Sequence, residues 1–365
     1  MVTRVAAAVA ATGLPGAVNR VTEADIARVT WPALRHVVRA HGLLGILLAG
    51  CDAGLIPLTD EQREEVAHSH TESMARILLL ERLLLDVVHL LRDADVPVRV
   101  LKGSAVAHLD YPTPSMRPFS DIDLLVRGDD FEKAEDALRS AGFVRPQPPV
   151  RRLVDRRFSK GATFVAPDGS EVDLHRTLAT GPFGVRIRLD ELWASWDKYD
   201  LAGSTLEALS AEGRILHTAY HAMLGGGPPR LIVLRDLAEM LLYGEYDDDT
   251  LREMCRSWRA ESVFAAAVRE TWQVLDLADV TAVSAWAEHY HPAPDEDRLV
   301  EQQRRGLGSY AAASWVTVRS LPRWRDRVAL ATALAVPSRE FLESRGTGVT
   351  EHIVRGLRRA LRGGS

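Results

Sequence analysis

Residues 117–126 read Arg-Pro-Phe-Ser-Asp-Ile-Asp-Leu-Leu-Val, and Asp121 and Asp123 within them constrain this chain more than any other feature. Ile122, Leu124, Leu125 and Val126 form a short apolar run between Pro118 and Gly128, the pattern of a strand. Side chains two apart on a strand leave the same face. Asp121 and Asp123 should therefore project together, with Ile122 turned to the core. Paired carboxylates repel each other and shift each other's pKa, and a fold tolerates that when a cation sits between them. Hard divalent ions such as Mg2+ choose carboxylate and phosphate oxygens. The strand predicts a metal site for phosphate chemistry.

The chain has 365 residues, enough for two or three domains with real cores. Its net charge of -5 gives no general attraction for nucleic acid or an anionic membrane. Cys51 and Cys255 match no metal-ligand spacing and read as unpaired thiols in a reducing cytoplasm. The apolar stretch from Gly42 to Leu58 contains Asp52 and Pro57 and is too short to span a bilayer. A cytoplasmic location follows as an expectation. Only four of the 45 basic residues are lysines, so Lys102, close before the Asp-x-Asp strand, stands out.

Three regions follow from the periodicities. Residues 1–94 read as a helical region, including an amphipathic helix that starts at Thr59-Asp-Glu-Gln and runs to Leu91. Residues 95–200 read as a core with strands at Val98–Leu101, Asp121–Val126, Thr163–Ala166 and Glu171–His175. The last two flank Pro167-Asp-Gly-Ser170, a hairpin turn. Glu171, Asp173 and His175 share one face of their strand. Residues 201–365 read as helical from Glu207 onward, with a basic amphipathic tail at Arg355–Arg362 that reads as a solvated helix. The fold class expected is α+β, a small mixed sheet flanked by N-terminal and C-terminal helical regions.

Four pieces point to one site. Leu101-Lys-Gly-Ser-Ala-Val is a strand–turn–helix in which Gly103 lets backbone approach a phosphate, Ser104 offers a hydroxyl and Lys102 offers charge. Asp121 and Asp123 supply paired carboxylates. Asp173, on a later strand, can take the proton of an attacking hydroxyl. Arg117 could clamp phosphate oxygens, or be a plain surface arginine. His217 and His221 lack the intervening glutamate of a zinc motif and read as packing histidines or, with His175, as the border of an acceptor pocket. Arg235-Asp236 reads as an ion pair tying helices to sheet, and Trp193 and Trp196 read as core anchors.

In this order the pieces resemble the nucleotidyltransferase superfamily with the DNA polymerase beta-like fold. They are most similar to a family of bacterial proteins known as uncharacterised nucleotidyltransferases. Val96-Pro97 with Leu101-Lys102-Gly103-Ser104-Ala105, Tyr111-Pro112, Arg117 with Asp121-Ile-Asp-Leu-Leu-Val126, and Val172-Asp173-Leu-His175 match that family's pattern. The resemblance extends into the helical region at Ile215–Ala222, Arg230-Leu231 and Leu234–Ala238, and into the tail at Leu330–Leu342.

The resemblance implies a Mg2+-dependent enzyme in which Asp121 and Asp123 hold two ions and Asp173 binds one and activates the acceptor. Lys102, Gly103, Ser104 and Arg117 would bind the nucleoside triphosphate, with ATP as the expected donor. The acceptor would be a hydroxyl of a small molecule, peptide or protein, with no role for nucleic acid or membrane. Removing Asp121 or Asp123 should abolish transfer at little cost in stability. A catalytically silent nucleotide- or partner-binding regulator of the same fold is the alternative, as is transfer of the terminal phosphoryl group.

Overall fold

The computed structural model of the protein describes residues 1–278, 281–304, 316–346 and 348. The basic tail at Arg355–Arg362 lies outside the described residues. Six strands form one mixed sheet: β1 (Val98–Val100), β2 (Ile122–Val126), β3 (Gly161–Val165), β4 (Glu171–His175), β5 (Trp196–Leu201) and β6 (Ser204–Leu209), in the spatial order β3-β4-β2-β1-β6-β5. β1 pairs antiparallel with β2 and parallel with β6, while β2 pairs parallel with β4. β3–β4 and β5–β6 are antiparallel hairpins at the two edges. The α+β class expected from the sequence is the observed one.

The helix Asp60–Asp93 starts where Thr59 and Gln62 satisfy each other's backbone N–H groups in a capping box. Its 34 residues make it about 50 Å long at 1.5 Å per residue. The two ends serve different cores. Val66 packs among the helices, while Leu80, Leu84, Val87, Val88 and Leu91 cover one face of the sheet beside Ile122, Leu124 and Val126. The helix Phe131–Ser140 adds Phe131, Ala134 and Leu138 to that sheet core.

Two features go beyond the sequence expectation. The N-terminal and C-terminal helical regions pack on each other. Val5, Val9, Leu34, Ile46 and Val66 share one core with Ile215, Leu234, Leu237, Trp258 and Phe264. Arg235 ties them further, donating to the carbonyls of Ala10 at 2.7 Å and Thr12 at 2.6 Å. The sheet also runs past residue 200, because β6 ends at Leu209 and the next helix is Ala211–Leu224. The run Leu-Glu-Ala-Leu in β6 favours a helix, and pairing with β1 and β5 overrides that preference. Trp193 is buried and lies under the guanidinium groups of Arg99 and Arg127, as a core anchor should. Trp196 is 44% exposed on the edge strand β5 and anchors no core.

Candidate active site

The site grows from the ends of β1, β2 and β4. The backbone N–H of Leu101 donates to the carbonyl of Asp123 at 2.9 Å, which fixes the chain leaving β1 beside the second aspartate. Lys102 follows, and its Nζ stands 3.0 Å from Asp123 Oδ2 and 3.3 Å from Asp121 Oδ2. Gly103 then turns the chain into the helix Ser104–Leu109 at φ +56°. That backbone region suits glycine, and a Cβ there would already touch the ring of Phe119.

The parallel pairing of β2 with β4 brings in the third carboxylate. Asp123 lies directly opposite Asp173, and Leu125 opposite His175. The Thr163 hydroxyl of β3 donates to Asp173 Oδ1 at 2.5 Å. Asp123, Asp173 and His175 offer ligand atoms that all lie within 4.8 Å of one another. Asp121 sits one residue before β2 on the far side of Lys102, so the lysine bridges the paired aspartates.

The electrostatics follow from burial and partners. Burial alone would raise the pKa of Asp123, but the hydrogen bond from His175 and the charge of Lys102 outweigh it and hold the carboxyl far below its usual range. A carboxylate only accepts hydrogen bonds, so His175 Nε2 carries the proton in the 2.8 Å contact with Asp123 Oδ1. Burial keeps that ring neutral by lowering its pKa, against the opposing pull of Asp123. Burial likewise disfavours the charge on Lys102, yet Asp123 and Asp121 more than offset this and raise its pKa. Asp123 Oδ2 meets the Lys102 ammonium, whereas the buried His175 Nδ1 has no hydrogen-bond partner.

Other residues take unexpected places. Arg117 is buried and bound to Asp236, with Nη2 2.8 Å from Oδ2 and Nε 3.2 Å from Oδ1. The Tyr111 hydroxyl donates to the same carboxylate at 2.8 Å. Arg117 is therefore committed to a structural pair and is not a free phosphate clamp. Asp236 ties helix to sheet through Arg117, while its neighbour Arg235 pairs with Glu239 at 2.9 Å. The expected Arg235–Asp236 pair does not form, because consecutive helical residues point in different directions. Ser104 is buried, and its hydroxyl accepts from Tyr199 at 3.1 Å, on the core side of the turn.

Three more groups border the site, of which only Lys160 was not among the sequence candidates. His217 and His221, on the helix Ala211–Leu224, lie within electrostatic range of Lys102 and Lys160. Burial, then those lysines, pulls His221 down to about 3, and burial puts His217 well below its ordinary value. Lys160 precedes β3 and lies within range of Asp123, Asp173, Asp121 and Lys102. The sequence carried one signal for Lys160, the scarcity of lysine, which is as true of it as of Lys102.

The ends of two neighbouring parallel strands thus bring together carboxylates that could hold a metal ion, beside a glycine turn and a lysine. Residues 27–276, more than half of the chain, match the family described as uncharacterised nucleotidyltransferase. The chain belongs to that family. No curated protein matches it. Among solved structures, this nucleotidyltransferase is similar to the solution structure of the antibiotic-resistance factor ANT(2'')-Ia, at 16% identity over 55% of this chain and 96% of that one, with a TM-score of 0.30. It is also similar to a crystal structure of an antigenic nucleotidyltransferase-like protein from Paracoccidioides brasiliensis, at 12% identity over 57% and 96%, with a TM-score of 0.30. At that similarity neither bears on substrate. No helix among the described residues is long and apolar enough to cross a membrane.

Proposed function

We propose that the protein is a Mg2+-dependent nucleotidyltransferase that moves a nucleoside monophosphate from an NTP to a hydroxyl of a small molecule, peptide or protein. The observation that carries the reading is the level pairing of Asp123 with Asp173, which sets carboxylates of two neighbouring strands side by side. An all-oxygen donor set of this kind fits a hard divalent ion. Asp121, Asp123 and Asp173 would hold the ions. When bound, Mg2+ would neutralise and polarise the α-phosphate and favour departure of pyrophosphate.

The chain's own residues do the rest. His175 holds Asp123 in one orientation through the Nε2–H bond. Lys102 offsets part of the charge of the aspartate pair in the free protein, and Gly103 keeps the turn open beside it. Asp173, steadied by Thr163, accepts the proton of the acceptor hydroxyl. The hydroxyl oxygen then bonds to the α-phosphorus as the bond to the bridging oxygen breaks, and the electron pair leaves on pyrophosphate. Catalysis of this kind is mainly positioning and charge neutralisation.

Calorimetric titration of ATP, GTP, CTP and UTP with Mg2+ into wild type and an Asp121→Asn/Asp123→Asn variant tests the reading, with ATP the first donor to try. Metal-dependent binding to wild type that the variant loses is the expected result. Wild type that binds none of the four would overturn it.

A further inference from the structure

Lys160 is a cation without a counter-ion at the edge of a site rich in them. Its ammonium makes no ion pair or hydrogen bond among the described residues, although the side chain is partly buried. Lys102 differs, since two carboxylates hold it. The backbone of Lys160 is fixed. Its carbonyl accepts from the N–H of Arg176 at 2.7 Å and of Thr177 at 3.3 Å, just beyond His175. The next residue, Gly161, lies so close to β4 that a Cβ would fall 2.0 Å from the carbonyl oxygen of Leu174. The start of β3 is therefore held tightly against β4, and Lys160 leaves it within electrostatic range of Asp121, Asp123 and Asp173. His217 and His221 also lie within its electrostatic range, and an imidazole supplies no negative charge to answer it. A half-buried ammonium that no carboxylate contacts directly is costly unless an anion completes it.

We propose that Lys160 binds the pyrophosphate portion of the nucleoside triphosphate, the part that leaves. The proposal rests on the nucleotidyltransferase reading above and deepens it. Lys102 belongs to the carboxylates, and Arg117 belongs to Asp236. Lys160 is the lysine beside the site whose charge is still available. When the bond between the α-phosphorus and the bridging oxygen breaks, negative charge grows on the departing oxygens, and a fixed ammonium offsets it without solvent reorganisation.

The test is calorimetric titration of wild type, Lys160→Met and Lys160→Arg with three Mg2+-containing probes: the NTP that wild type binds, its monophosphate, and inorganic pyrophosphate. Thermal melting confirms that each variant is folded, and Lys160→Gln replaces the methionine variant should that one fail to fold. The expected result is about tenfold or greater weakening of NTP and pyrophosphate binding in the uncharged variant, about unchanged monophosphate binding, and retention in Lys160→Arg. Equal binding by wild type and the uncharged variant would overturn the assignment of Lys160 alone. So would a loss shared equally by NTP and monophosphate, which marks a structural role. Wild type that binds neither NTP nor pyrophosphate would instead bring down the nucleotidyltransferase reading itself.

Discussion

Two buried aspartates, Asp236 and Asp123, are each held by a cation, and their surroundings differ in one respect. Asp236 takes a forked contact from Arg117 and a hydrogen bond from Tyr111, so both of its oxygens are satisfied. Asp123 is just as buried, but its Oδ2 rests on the Lys102 ammonium, which it shares with the part-exposed Asp121, and its partner His175 keeps an unpartnered Nδ1. A saturated network specifies structure, whereas an unsaturated one is a place where something else binds. The first ties the helical body to the lead-in of β2. The second faces the proposed substrate.

The largest effects should separate the two. Asp121→Asn and Asp123→Asn should each lower nucleotidyl transfer by about a thousandfold or more, read in a pyrophosphate-release assay, because the proposed metal site then loses a ligand. Their stabilities should part. Asp121 is one-third exposed in its side chain and should melt like wild type, whereas Asp123 is 1% exposed and holds Lys102 and His175. The expectation that either substitution costs little stability therefore fits Asp121 and not Asp123. Equal melting of the two variants would erase the distinction.

Asp236→Asn should do the reverse. It strands Arg117 in a buried site and should cost about 3–5 kcal/mol in urea unfolding, with activity per folded molecule kept. A thousandfold loss of turnover in folded Asp236→Asn would show that the anchor is part of the chemistry after all.

Acid offers a subtler probe. His221 has its pKa pulled to about 3, so between its ordinary value of about 6.5 and that point the unfolded chain takes a proton the folded one refuses. Stability from this group is present above pH 6.5 and falls as pH drops below it. The depressed pKa values of His217 and His175 act in the same direction. Asp123 adds its own loss only below the ordinary carboxylate range. His221→Asn should flatten the decline in urea stability by about 1 kcal/mol per pH unit below pH 6.5, and an unchanged slope would count against a buried neutral histidine. The smallest effect belongs to Tyr111→Phe, which removes one hydrogen bond to Asp236 and should cost about 1–2 kcal/mol with no change in activity.

The skeleton of the candidate site was legible in the sequence because it is local. The Asp-x-Asp strand, the Lys-Gly turn and the β3–β4 hairpin each lie within a few consecutive residues, where period and turn chemistry speak directly. What was hidden depends on contacts between distant segments. Arg117 reads as a phosphate clamp until Asp236, far along the chain, takes it. Lys160 has no motif, and only the register of β3 on β4 places it beside the carboxylates. The β5–β6 hairpin was missed because β6 is built from good helix formers, and the union of the two helical regions because each shows only its own apolar faces.

The parallel pairing of β2 with β4 also sets a timetable. Antiparallel neighbours can form as the chain emerges, but parallel ones need a crossover, here the whole stretch from Arg127 to Ser170. During synthesis Asp121 and Asp123 leave the ribosome long before Asp173 and Lys160 dock beside them. A half-made chain would hold the paired carboxylates and their lysine without the group proposed to take the proton. By this order, the growing chain gains its full set of acidic groups only once the β3–β4 hairpin has closed against the sheet.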